Sequence, residues 1–166
     1  MKILLPLLFI TLFNFSFAQE SATDTCVVTP FQVYLQDQDP FSNIRNAPGG
    51  DIILKINNQH GYGYILTIID FKNGWFKINH VSGIDSYDIT NFEGWIHSSI
   101  VAAATTYDLV LMDKPNGTIT TGKLKGEHDT FNITNVYCNW IQVNCNGVTG
   151  WVESSKICGN PVTTCP

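Results

Sequence analysis

The chain has 166 residues, a formal net charge of −5 and only 14% charged residues. That length accommodates one ordinary domain or two small ones. The acidic balance argues against nucleic acid or an anionic membrane surface as a partner.

Residues 1–18 read as a secretory signal peptide. Lys2 supplies a short positive start, an apolar run follows from Ile3 to Phe13, and Ser16-Phe17-Ala18 places small residues where a signal peptidase cuts, before Gln19. The apolar run is short for a bilayer span, so no membrane insertion is expected after cleavage and the protein is expected to be secreted or periplasmic. Residues 19–30 form a polar leader that contains Cys26.

From residue 31 onward the pattern is β. Short apolar runs such as Ile52-Ile53-Leu54-Lys55-Ile56 and Tyr64-Ile65-Leu66-Thr67-Ile68-Ile69 are separated by Gly, Asn, Asp and Pro, and no amphipathic helical period appears. Asn73-Gly74 is a strong hairpin signal ahead of Trp75-Phe76-Lys77-Ile78, as is Asn146-Gly147 ahead of Gly150-Trp151-Val152. The fold class is therefore all-β.

The most informative feature is an internal repeat. Trp75-Phe76-Lys77-Ile78 and Gly94-Trp95-Ile96-His97-Ser98-Ser99-Ile100 return as Trp140-Ile141-Gln142-Val143 and Gly150-Trp151-Val152-Glu153-Ser154-Ser155-Lys156-Ile157. The expected division is a first unit over 31–101, a short link, a second unit over 107–158 and a tail over 159–166. The first copy carries extra residues between its two tryptophans, within 79–92. Trp75 and Trp140 are expected in the core. Trp95 and Trp151 follow glycine and either pack inward or line a groove.

The opening Asn43-Ile44-Arg45-Asn46-Ala47-Pro48-Gly49-Gly50, together with the Gly-Trp strands and the Ser-rich turn, resembles bacterial SH3-like domains. The likeness covers about 31–101. The second copy keeps the two tryptophan strands but has Leu111-Met112-Asp113-Lys114-Pro115 at the opening, without the arginine. The resemblance implies two small SH3-like barrels in tandem. It also implies a non-catalytic role, binding peptidoglycan or an envelope protein or peptide. The alternative is a structural or inhibitor-like protein that packs on an envelope protein partner.

Within that reading the insertion is either a decorated hairpin loop with no role or a recognition loop, since loops on a rigid scaffold often carry binding residues. Asp85, Tyr87 and Asp88 offer acceptors and an aromatic face. Trp95 and the glycine-flanked Tyr62 and Tyr64 complete the candidate ligand-binding set. No catalytic residue, metal site or cofactor is expected. The cysteines lack a nucleophile's context, and Cys138 to Cys145 and Cys158 to Cys165 are spaced more widely than the roughly two-to-four-residue gaps of structural zinc pairs.

Export makes disulfides the expected state of Cys26, Cys138, Cys145, Cys158 and Cys165, and the odd count leaves one over. With Asn146-Gly147 as a hairpin turn, Cys138 and Cys145 lie along one strand, roughly 23 Å apart at ~3.3 Å per residue. That is beyond disulfide reach. The same register sets Cys138 opposite Ser155, which makes Cys138–Cys158 the leading pair.

Overall fold

Alternation at period two builds the elements. In the strand Trp75–Gly83, Phe76 and Ile78 are buried while Trp75 and Lys77 are half-buried. In Trp140–Cys145, Ile141 and Val143 are buried while Trp140 and Gln142 are half-buried. One face of each strand therefore meets a core and the other meets solvent. The computed structural model describes residues 26–59, 63–83, 88–90, 92–126 and 130–160. The signal segment, Tyr62, Asp85, Tyr87 and Cys165 lie outside them.

In chain order the strands are β1 (Phe31–Leu35), β2 (Phe41–Arg45), β3 (Ile52–Asn57), β4 (Tyr64–Lys72), β5 (Trp75–Gly83), β6 (Asp88–Ile89), β7 (Gly94–His97), β8 (Val101–Ala104), β9 (Leu109–Met112), β10 (Thr120–Leu124), β11 (Thr130–Tyr137), β12 (Trp140–Cys145) and β13 (Val148–Glu153). Short 3-10 helices at Ser98–Ile100 and Ser154–Lys156 follow β7 and β13. The protein is all-β, as the sequence predicts, and every strand pairing is antiparallel.

The strand order is β10-β9-β13-β12-β11-β8-β1-β4-β5-β7-β2-β3, with β6 added on β5. Outward from its centre, this path has the same plan on both sides. β1, β4, β5, β7, β2 and β3 on one side correspond to β8, β11, β12, β13, β9 and β10 on the other.

The two openings share one turn as well. Gly50 N donates to Ala47 O and Gly117 N donates to Lys114 O, each at 2.9 Å. Pro48 and Pro115 take the second position, and Gly49 (φ +69°) and Asn116 (φ +55°) the third, which is type II turn chemistry. The second opening thus departs from the first in side chains and not in backbone.

Residues 101–106 do not form a mere link. β8 pairs with β1 through Val101 and Ala102 and with β11 through Ala103 and Ala104. It closes the first half and opens the second. Ala102 and Ala103 are buried, and one contiguous cluster of apolar residues runs from Phe31 and Ile96 through Val101 and Ala103 to Phe131 and Val143. Alanine is small enough for both halves to close on the strand.

The Gly-Trp repeat has a steric cause. An ideal Cβ on Gly94 would lie 2.3 Å from Ile44 Cγ2, and one on Gly150 would lie 2.6 Å from Leu111 Cβ. In each half the opening strand crosses the glycine, so no larger residue fits there.

The disulfide differs from the expected pair. Cys138 is bonded to Cys26, across a sequence separation of 112, with a Cα–Cα distance of 5.3 Å. The predicted hairpin register is correct, since Trp140 pairs with Glu153. The ladder ends at that pair, however. The chain then turns into Ser154–Lys156, which carries Cys158 away to a bridge with Ala104. Cys138 instead sits in the β11–β12 turn at φ +56°. There its carbonyl accepts from Thr29 N at 3.1 Å, which brings the leader alongside. Cys158 is itself disulfide-bonded. Cys145 keeps its thiol, buried and donating to Thr130 O at 3.6 Å.

Candidate functional site

The four tryptophans are not core residues. All are half-buried on the outer face, and the core positions beside them belong to Phe76, Ile96, Ile141 and Val152. The expectation that Trp75 and Trp140 fill the core is corrected here. Both apolar neighbours in each strand compete for the inside, and alternation admits only one parity.

On the first half, Trp75 pairs with His97, Lys77 pairs with Trp95, and Trp95 pairs with Arg45. The Trp75 and His97 rings meet edge to face at 5.0 Å, and the Arg45 guanidinium lies 6.0 Å from the Trp75 ring centroid. Arg45 donates to Gly50 O at 2.6 Å, so it also latches the opening turn. His97 Nδ1 lies 2.7 Å from Ser99 Oγ and accepts from Ser99 N at 3.3 Å, capping the short helix.

The same register on the second half replaces Arg45 by Met112, Lys77 by Gln142 and His97 by Glu153. Glu153 makes no cap and instead pairs with Lys156 at 3.5 Å. The two aromatic faces share one register, but the first carries Arg45 and Lys77 where the second carries the uncharged Met112 and Gln142.

Two grooves adjoin these faces. The first, of about 580 Å³, is lined by Thr67, Asn79, His80, Thr90, Phe92 and Glu93. It forms where the first half departs from the second. Both halves carry an extra residue in the strand before the hairpin, Ile69 in β4 and Thr134 in β11. Only β5 carries another, Asn79, between Ile78 and His80. Such a bulge bends the strand and re-aims its side chains. The opposite wall, made by Thr90, Phe92 and Glu93, comes from the end of the insertion. Glu93 is ion-paired with Lys77, which ties that wall to β5.

The groove's chemistry is hydrogen bonding beside one aromatic ring. Thr67 and Thr90 bring hydroxyls, Asn79 an amide, His80 an imidazole and Phe92 a stacking face. Such a set suits a ligand rich in amides or hydroxyls.

The second groove, of about 410 Å³, lies on the other half. It is lined by Lys114, Pro115, Asn135, Val136, Tyr137 and Trp151.

No family model matches the chain, and no curated protein matches it. Among solved structures it is similar to NlpC1 from Trichomonas vaginalis, with a TM-score of 0.33 and 13% identity over 78% of this chain and 46% of that one. It is also similar to NlpC2 from Trichomonas vaginalis, with a TM-score of 0.32 and 11% identity over 78% of this chain and 48% of that one. The chain thus spans about half the length of the structures it matches.

The candidate residues named from sequence fare differently. Trp95 lies on the outer face between Arg45 and Lys77, and it is not among the residues that line either groove. Tyr64 lines a small pocket with Leu35, Asp37, Asn58 and Gly63, but most of its ring is buried. It is 8% exposed and its hydroxyl donates to Asn57 O at 3.1 Å, because β4 begins with its ring on the core side. Asp88 lies in β6, where its backbone pairs with Ser82 of β5. Tyr62, Asp85 and Tyr87 lie outside the described residues.

Sequence reasoning missed Thr67, Asn79, His80 and Phe92. The signal for the groove was the insertion itself, which had to return to the sheet somewhere. Among the described residues no group of three or more His, Cys, Asp or Glu could hold a metal ion, and no helix is long and apolar enough to cross a membrane.

Proposed function

We propose that this is an exported, non-catalytic binding protein built from two SH3-like barrels, which recognises peptidoglycan or an envelope peptide. The observation that carries this reading is the groove at the Asn79 bulge. It is the place where an otherwise repeated strand plan is broken, and the break opens a cavity lined by hydrogen-bonding groups. Peptidoglycan stem peptides and their sugars present amides and hydroxyls, the complement of that lining. The expected domains remain 31–101 and 107–158, with β8 serving both. Disulfides at Cys26, Cys138 and Cys158 fit an oxidising compartment.

The test is titration of the disulfide-intact mature protein with soluble muropeptides, followed by amide chemical shifts. Shifts at Thr67, Asn79, Thr90 and Phe92, lost in Asn79→Ala with an unchanged melting temperature, are expected. Binding with no shift in that groove, or no binding of any muropeptide, overturns the proposal.

A protein partner is the second reading. It is favoured by Ile52 and Ile53, which are exposed on β3 at the end of the strand path. Isolation of a stable envelope complex that is lost in Ile53→Ser would select it.

A further inference from the structure

We infer that the second groove, around Trp151, is a separate site for an extended acidic peptide segment that carries an aromatic or proline side chain. The argument begins with what the groove can offer. Trp151, Tyr137 and Pro115 give it three flat apolar surfaces, with Val136 of β11 beside them. Trp151 and Pro115 are half-buried and Tyr137 is exposed, and flat, stiff groups of this kind lose little side-chain freedom on binding a planar or cyclic partner.

The polar groups around those surfaces are mostly donors. Lys114 has three N–H groups and no acceptor, and the indole of Trp151 can only donate. Asn135 spends its carbonyl on Val136 N at 2.9 Å, which leaves its NH2 group for a ligand. Among the described residues Lys114 enters no ion pair. A rim of donors with one uncompensated cation calls for acceptors and negative charge. Carboxylates beside an apolar side chain supply both, and an extended backbone adds carbonyls.

The first half shows that this is not a by-product of the fold. The matching registers put Lys72 at the place of Tyr137 and Asp70 at the place of Asn135. The shared opening turn puts Ala47 at the place of Lys114. The first half therefore has a carboxylate and a lysine where the second has an amide and a phenol. At this corner the second half has one more ring, no carboxylate, and its lysine moved onto the opening turn.

The experiment uses the mature, disulfide-intact protein and three capped tetrapeptides: Ac-Glu-Phe-Pro-Glu-NH2, its Gln-Phe-Pro-Gln analogue, and Ac-Glu-Gly-Gly-Glu-NH2. The four indole N–H signals are assigned by single Trp→Phe variants, and each peptide is titrated in. The first peptide should move the Trp151 indole signal and leave that of Trp75 in place. The other two should bind at least about fivefold more weakly, in line with one ion pair or one ring contact. Lys114→Gln should weaken the first peptide by about fivefold and abolish its salt dependence. Tyr137→Ser, whose parent side chain is 40% exposed, tests the ring contact without opening the core.

Equal binding of the glutamate and glutamine peptides overturns the proposal. So does an unmoved Trp151 signal, or unchanged affinity in both variants with melting temperatures like the parent. A Trp151 shift that tracks protein concentration without peptide would assign the groove to a second copy of the chain instead.

Discussion

Arg45 and Met112 occupy one position in two copies of a single strand plan, each paired with the tryptophan that follows a crossed-over glycine. The arginine reaches back to Gly50 O and lies near Trp75, whereas the methionine leaves its face uncharged. The same backbone therefore carries two different surfaces, and several consequences can be measured.

Loss of the Cys26–Cys138 bridge should destabilise the whole protein. It closes a loop of 112 residues, for which chain-entropy reasoning gives about 4–5 kcal/mol, with measured bridges in small secreted domains spanning about 2–5. Cys26→Ser and Cys138→Ser should lose the same amount, and the double variant no more. Non-reducing peptide mapping should recover Cys26 and Cys138 in one linked fragment. Recovery of Cys138 linked to Cys158 would refute the bridge.

Gly94→Ala and Gly150→Ala should each cost about 1–3 kcal/mol, the range for overpacking a tight site. The new methyl would strike Ile44 in the first case, and Leu111 and Thr121 in the second. Ile44→Val with Gly94→Ala does not remove the offending Cγ2, whereas Ile44→Ala with Gly94→Ala does. Denaturant melts of both double variants test this. If both rescue equally, the clash lies elsewhere.

Phe76→Ala should be more damaging than Trp75→Ala. Phe76 is completely buried and packs against Phe71 at 5.2 Å and Phe31 at 6.3 Å. Truncating such a ring costs about 3–5 kcal/mol. Trp75 faces outward, so its truncation should cost clearly less. A reversed order in chemical melts would mean that the parity of β5 is wrong.

Asp108 should contribute to the acid limb of stability. Its carboxylate accepts from Gly126 N at 3.1 Å, and Lys125 stands 3.1 Å away. The Gly126 hydrogen bond first, and Lys125 second, hold its pKa below the ordinary 3.8. A folded value below the unfolded one means that the ionised form favours folding. The contribution is present above the ordinary value and fades as pH falls through the lower folded one. Carboxyl chemical shifts should place the Asp108 midpoint below the ordinary 3.8, and Asp108→Asn should flatten that part of the stability profile. A midpoint at or above 3.8 would contradict the hydrogen bond.

The sequence displayed some features openly and concealed others. The hairpin at Asn73-Gly74 is there as read, with φ of +51° and +81°, and so is the one at Asn146-Gly147, with +51° and +83°. The repeat is there too, because Gly94 and Gly150 answer a steric demand that only one residue type meets. The parity of the tryptophan strands was not legible, since Trp75-Phe76 and Trp140-Ile141 are apolar on both faces. The equivalence of the openings was hidden because Gly49 and Asn116 reach the same left-handed conformation with different side chains. The disulfide was misassigned because pairing opposite residues in a hairpin says nothing about a leader arriving from outside it. The groove at Asn79 depends on a bulge, and a single extra residue in a strand leaves no mark in a polar stretch.

β8 has a final consequence, for how the protein can be divided. A plain duplication would supply each unit with its own first and last strand. Here Val101–Ala104 is the last strand of one unit and the first of the next. Cutting before it strips Tyr34 and Leu35 of their β8 partners, and cutting after it leaves Thr130 and Phe131 facing an empty edge. The halves are thus inseparable in practice. Either one expressed alone would expose a ready-made template for strand addition, and the intact chain should unfold as one cooperative body despite its doubled plan.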